Sequence, residues 1–269
     1  STILERGYSH FVLGSNDEAI KDYTRAIELG ATDAGTYRQR GRCHQLSKDF
    51  RSAVQDFGSA IQLDGTEYDD YIQRGTSAEE LGNASLAINT YTAAIGLEPD
   101  EALAFGLRGG CFDDLENYDL AIEDYLRAVD RDLELKYADL YGYKPIASLY
   151  QKQGEYDKAI ESYTAAIDQD PNDWESYKLR GVVYGLTEEF ELGQGDFMDA
   201  SNIKGRIEHG LDAAALELPE KIDEYLIKSI AGEGGLSRVY VAVEPKFGRD
   251  VAIRIPHEWL GGDETLSAR

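Results

Sequence analysis

Basic residues are scarce: 27 lysines and arginines face 51 aspartates and glutamates, for a formal net charge of −24. Such a chain repels nucleic acid and anionic membranes, so no nucleic-acid partner is expected. The acids are spread along the whole length, which reads first as solubility and second as a preference for basic partners. Long apolar runs are missing too. None approaches the ~18 residues of a membrane-crossing helix. No secretory pattern opens the sequence, which starts at Ser1 and reads as processed or as a fragment. Cysteine occurs twice, at Cys43 and Cys111, and histidine four times, at His10, His44, His209 and His257. No Cys/His set has metal-ligand spacing, so no metal centre is expected. Free thiols fit a reducing cytoplasm, the expected location. Adjacent carboxylates such as Asp69–Asp70 and Asp113–Asp114 are what this acid content produces by chance and read as solvated. No hydrolase or oxidoreductase constellation stands out.

What the chain does have is self-similarity. Arg-Gly recurs as Arg6-Gly7, Arg40-Gly41, Arg74-Gly75 and Arg108-Gly109, in steps of 34 residues, and returns as Arg180-Gly181. A small–aromatic–small set keeps step with it: Ala19, Tyr23, Ala26; Ala53, Phe57, Ala60; Ala87, Tyr91, Ala94; and Ala121, Tyr125, Ala128. After a four-residue insertion come Ala159, Tyr163, Ala166, and finally Gly193, Phe197, Ala200. Intervals of four and three put the three residues on one helical face. The small ones admit a paired helix and the aromatic fills the gap towards the next repeat. Gly14-Ser15-Asn16-Asp17, Gly82-Asn83 and Gly154-Glu155 mark the bends. One helix pair buries too little alone, so stacking is what makes such an array fold. Gly193 and Gly195, each costing roughly 1 kcal/mol against alanine inside a helix, mark the sixth copy as the loosest.

This pattern resembles the tetratricopeptide repeat over residues 1–206, as six copies at about 1–34, 35–68, 69–102, 103–140, 141–173 and 174–206. The fifth departs from it, with Ile146-Ala147 for Arg-Gly and Pro145 early in its first helix. Residues 207–218, stopped by Pro219, are the expected capping helix. The resemblance implies a mainly α, right-handed solenoid acting as a protein-interaction scaffold, with a concave groove that holds a peptide. Its register assigns to the groove Tyr8, Phe11 and Val12; Arg38, Arg42 and Gln45; Ile72, Gln73 and Thr76; Asp113 and Asp114; Lys144, Ser148 and Lys152; and Lys178 and Val182. Arg38 and Arg42 share one helical face. They either receive a ligand carboxylate or phosphate or pair with neighbouring acids. The Lys, Asn and Arg set with which some family members hold a chaperone C-terminus is incomplete here.

Beyond Pro219 helical spacing gives way to β-branched alternation. Strands are expected at 225–230, 238–243 and 250–255, with a glycine-rich turn over 232–237 and a hairpin connection over 244–249. A turn that leads into a strand disfavours a dinucleotide fold. The runs GEGGLSRVY and RDVAIRI resemble the first three strands of a bacterial-type Ser/Thr protein kinase, so residues 219–269 read as a truncated N-lobe, a small incomplete antiparallel sheet. The resemblance implies that Gly232, Gly234 and Ser237 cover ATP phosphates and that Val239 and Ala252 touch adenine. Arg254 stands where the family has its ATP-anchoring lysine, a non-conservative exchange. Neither His-Arg-Asp nor Asp-Phe-Gly occurs, so residues 1–269 are expected to lack catalytic residues and kinase activity, and ATP with Mg²⁺ is expected only in a complete kinase domain. Two alternatives stand beside the plain scaffold: the recruiting front end of a Ser/Thr kinase whose catalytic part lies beyond residue 269, and a pseudokinase scaffold.

Overall fold

The computed structural model describes residues 2–132, 141–208, 221–222, 225–234, 237–244 and 249–256. It divides into two compact units, Ser1–Leu149 and Tyr150–Arg269. The first carries α1 (Ile3–Val12), α2 (Asn16–Glu28), α3 (Ala34–Leu46), α4 (Phe50–Leu63), α5 (Tyr68–Glu80), α6 (Ala84–Leu97), α7 (Ala102–Asp114) and α8 (Tyr118–Arg131). Helix α9 (Tyr143–Gln153) runs across the boundary. Each of α1 to α7 packs on the next in chain order.

Side-chain caps start several of the helices. Thr2 and Glu5 form a reciprocal capping box, and the side chains of Asp33, Asp49 and Asn83 accept the free amide hydrogens of the following first turns, as helix N-termini require. The bend inside each pair needs a left-handed residue. Glycine supplies it at Gly14, Gly82 and Gly154 (φ of 76°, 69° and 77°), whereas Lys48, Glu116 and Glu188 take it with a side chain at 59°, 59° and 65°. A β-carbon there is strained by about 1 kcal/mol. Lys48→Gly is therefore expected to raise stability by about 0.5–1 kcal/mol, measurable as a higher urea midpoint; a lower midpoint would contradict it.

Packing follows the repeated small residues. A β-carbon added at Gly41 would lie 3.2 Å from the Phe57 ring and one at Gly75 only 2.3 Å from the Tyr91 ring. Each aromatic thus covers the glycine of its own pair as well as facing the next. Tyr91 is fully buried among Ala87, Ala94, Ala104 and Cys111, the last two from the following pair. Tyr141, fully buried, lies against Gly106 of α7, where no β-carbon fits. The two cysteines are free and buried.

In the second unit α10 (Tyr156–Gln169), α11 (Trp174–Leu186) and α12 (Phe190–Glu208) pack in series. Gly193, expected to loosen the sixth copy, has a packing reason: a β-carbon on it would meet the Gly181 carbonyl oxygen at 2.9 Å. Ile207 and Glu208, expected to open a separate capping helix, instead continue α12; the rest of that expectation, 209–218, lies outside the described residues. Four strands follow, β1 (Lys221–Ile222), β2 (Tyr225–Gly234), β3 (Ser237–Glu244) and β4 (Arg249–Pro256), antiparallel and in chain order. β2 runs on through the expected glycine-rich turn: Gly232 pairs with Val239 and Gly234 with Ser237. Val239 also pairs with Arg254, and Ala252 with Val241.

Candidate functional site

The first helices of successive pairs meet along one wall of the first unit, and two neighbouring junctions on that wall differ. Between α3 and α5 the side chains are locked together. Arg38 Nε and Nη2 donate to both oxygens of Asp70 at 2.6 and 2.8 Å. Arg42 Nη2 donates to Asp69 at 2.8 Å. Gln45 Nε2 donates to the Gln73 carbonyl and to Ser77 Oγ at 3.1 and 2.9 Å. The Asp70 side chain is fully buried and that of Arg38 is 19% exposed. Hydrogen bonding to Asp70 raises the Arg38 pKa above its ordinary value despite the opposing effect of burial.

This geometry corrects two expectations and decides between the two outcomes left open for a third. Asp70 is a buried structural partner, not a solvated acid. Arg38 and Arg42 are held by chain carboxylates, the second of the two outcomes left open for them. Ile72, assigned to the groove, is 5% exposed and belongs to the core around Tyr91. Gln73 and Thr76 are half-buried; the Gln73 amide donates to Asp69 at 3.1 Å and Thr76 Oγ1 to the Gln73 carbonyl at 3.1 Å.

Between α1 and α3 the same wall is open. Leu4, Glu5, Tyr8, Ser9, Tyr23, Asp33, Gly35, Thr36 and Gln39 line a cavity of about 520 Å³. Tyr8 is 53% exposed and its ring lies 6.4 Å from that of Phe11. Two buried polar atoms on the lining have no partner, Tyr23 Oη and Gln39 Oε1. Burial pushes the Tyr23 phenol up to about 12, with Cys43 and Tyr8 adding to it, so at neutral pH Tyr23 is a donor and Gln39 Oε1 an acceptor. The acids on the rim are occupied: Glu5 accepts from the Thr2 amide, and Asp33 is held below the usual carboxylate range by Thr36. Sequence reasoning missed Tyr23, which sits in a packing position, and Gln39. No local pattern marks either.

The remaining groove assignments are placed by their own helices. On α7, Asp113 is half-buried and Asp114 exposed. On α9, Lys144 and Ser148 are half-buried and Lys152 is exposed; on α11, Lys178 and Val182 are exposed. Among the described residues no cluster of His, Cys, Asp and Glu is placed to hold a metal ion, and no helix is long and apolar enough to cross a membrane.

Residues 147–187 match the model of a TPR repeat and residues 72–132 that of a tetratricopeptide repeat. These stretches are therefore tetratricopeptide repeats, the fold of protein–protein interaction scaffolds; neither match reaches residues 219–269. Among solved structures the chain is similar to the C-terminal part of a TPR repeat-containing protein from Cytophaga hutchinsonii, with a TM-score of 0.65 and 19% identity over 81% of this chain and 86% of that one. It is also similar to YrrB, a TPR protein with an unusual peptide-binding site (0.55, 22%, 72% and 98%), and to MamA (0.57, 22%, 63% and 96%). At such identities the likeness is one of fold. No curated protein matches the chain.

Proposed function

We propose that the protein is an interaction scaffold whose α1–α3 groove takes an extended peptide. The peptide places an apolar side chain against Leu4 and Tyr8, and a neighbouring amide accepts from Tyr23 Oη and donates to Gln39 Oε1. The observation that carries this reading is the open cavity with two unpartnered buried polar atoms, since such atoms are normally satisfied. The net charge of −24 favours basic flanks on the peptide, through steering more than through affinity. Arg38, Arg42 and Gln45 hold the neighbouring junction together, while the Gln73 and Thr76 side chains bond within α5. Lys144 and Ser148 in the first unit, and separately Lys152 and Lys178 in the second, are proposed as contacts independent of that groove. The test is an array of basic peptides with apolar and amide side chains, probed with the full chain. Tyr8→Ala and Gln39→Ala are each expected to weaken the best peptide about tenfold, or about 1.4 kcal/mol. Binding indifferent to both substitutions would overturn the assignment.

A second reading concerns residues 219–269, proposed as the ATP-binding lobe of a kinase or pseudokinase through Gly232, Gly234, Ser237, Val239, Ala252 and Arg254. Its support is the runs GEGGLSRVY and RDVAIRI. Calorimetric titration of the full chain with ATP and Mg²⁺ tests it: saturable binding supports the reading and its absence removes it.

A further inference from the structure

The arginine of each Arg-Gly pair has a structural role that exposes one exception. Arg6, Arg40, Arg108 and Arg180 each grip the aspartate sixteen residues on, Asp22, Asp56, Asp124 and Asp196, through Nε and Nη2 at 2.6–2.8 Å. Arg40, Arg108 and Arg180 also donate from Nη1 to the threonine sixteen residues back, Thr24, Thr92 and Thr164, at 3.1, 2.9 and 2.8 Å. The guanidinium thus ties a helix pair to itself and to the pair before it. In the fifth repeat Ile146 replaces the arginine and Ser162 the aspartate, so both partners are gone together.

Arg74 has lost its partners but kept its charge. Thr90 stands where the aspartate belongs and Gly58 where the threonine belongs. The guanidinium still occupies the shared position: a β-carbon on Gly58 would lie 3.5 Å from Arg74 Nε. Its Nε–H is buried with no acceptor. Thr90 Oγ1 is itself committed to the Leu86 carbonyl. A guanidinium does not lose its proton at any pH the fold survives, and a buried donor left unmade is costly.

We propose that Arg74 is a receptor for a carboxylate supplied from outside the chain. Arg74 on α5 lies against Gly58 of α4, and neither helix lines the α1–α3 cavity, so the site is a separate one. The four sister arginines define the ligand: a planar oxyanion that takes Nε–H and Nη2–H side by side, the fork geometry of guanidinium and carboxylate. The acid excess of the whole chain disfavours multiply charged anions and selects a monovalent one. Free carboxylates and the acidic side chains of a partner protein share this chemistry.

The test follows the arginine Nε–H signals of the full chain by ¹H–¹⁵N NMR during titration with sodium formate, ionic strength being held with sodium chloride. Arg74→Lys identifies the signal. It is expected to move and saturate while those of Arg40 and Arg108 stay put. In Thr90→Asp, which builds the missing carboxylate into the chain, the shift is lost. In case Thr90→Asp does not fold, thermal stability provides a second readout: formate is expected to raise the Tm of the native chain above that in chloride, and not that of Arg74→Gln. A parallel titration with a neutral-capped peptide containing a single aspartate separates the sources. Saturation at lower concentration than formate assigns the ligand to a partner's side chain, and response to formate alone assigns it to a free anion. An Arg74 signal indifferent to both ligands, or one that moves equally in Thr90→Asp, would overturn the proposal.

Discussion

Asp70→Ala is expected to lower the stability of the first unit by about 3 kcal/mol. Asp70 is fully buried in the first turn of α5 and carries both bonds from Arg38 on α3. Removing one partner of such a pair leaves the other charged, partly desolvated and without its acceptor. Arg38 is 19% exposed, so water can reach it and the loss falls at the low end of the range known for buried pairs. Asp70→Asn keeps one acceptor oxygen and should lose less. Replacing both partners with apolar residues, Arg38→Met with Asp70→Leu, should recover most of the stability, because the desolvation of two charges disappears with them. Urea unfolding followed by ellipticity reads all three. A double variant as unstable as Asp70→Ala would contradict the account.

Gly75→Ala is the second large effect, and its sign is the informative part. Inside a helix alanine is better than glycine by about 1 kcal/mol, so the substitution should stabilise unless the space is taken. At Gly75 it is taken: the new carbon would sit 2.3, 2.7 and 2.8 Å from Cε1, Cζ and Cδ1 of Tyr91. That ring has nowhere to go, since it is fully buried and its hydroxyl donates to Glu79. Overpacking of this kind costs about 1–3 kcal/mol, and a contact this short belongs at the upper end, so the net expectation is a loss of about 2 kcal/mol. At Gly41 the nearest ring atom is 3.2 Å away, a gap that a few tenths of an ångström of movement relieves, and Gly41→Ala should be close to neutral. Urea midpoints of the two variants measure the difference. A Gly75→Ala protein as stable as Gly41→Ala would mean that the Tyr91 ring is not fixed.

The helix pairs were legible because their signal is periodic. Gly7, Gly41, Gly75 and Gly109 recur in step with the aromatics that cover them, and close packing demands both members at fixed spacing. The arginine beside each glycine is equally visible, and so is the aspartate that follows sixteen residues later in four repeats. The α3–α5 lock was not legible. Arg38 and Asp70 are 32 residues apart, and only the stacking of one pair on the next brings them together. Asp70 therefore looked like one acid among many. Tyr23 and Gln39 were invisible for a related reason: what distinguishes them is a missing partner, and an absence of hydrogen bonding has no sequence pattern. The bend residues Lys48, Glu116 and Glu188 carry no sequence mark, because glycine stands at the bend only in alternate repeats.

The α1–α3 junction is proposed to receive a peptide, while the α3–α5 junction is closed by its own ion pairs. Hydrogen exchange of the full chain, with and without the best peptide from the array, tests this contrast most directly. The account predicts added protection in α1 and α3, centred on the turns carrying Tyr8 and Gln39, with little change in α5. Protection confined to α5 and α7, or to residues 221–256, would contradict it.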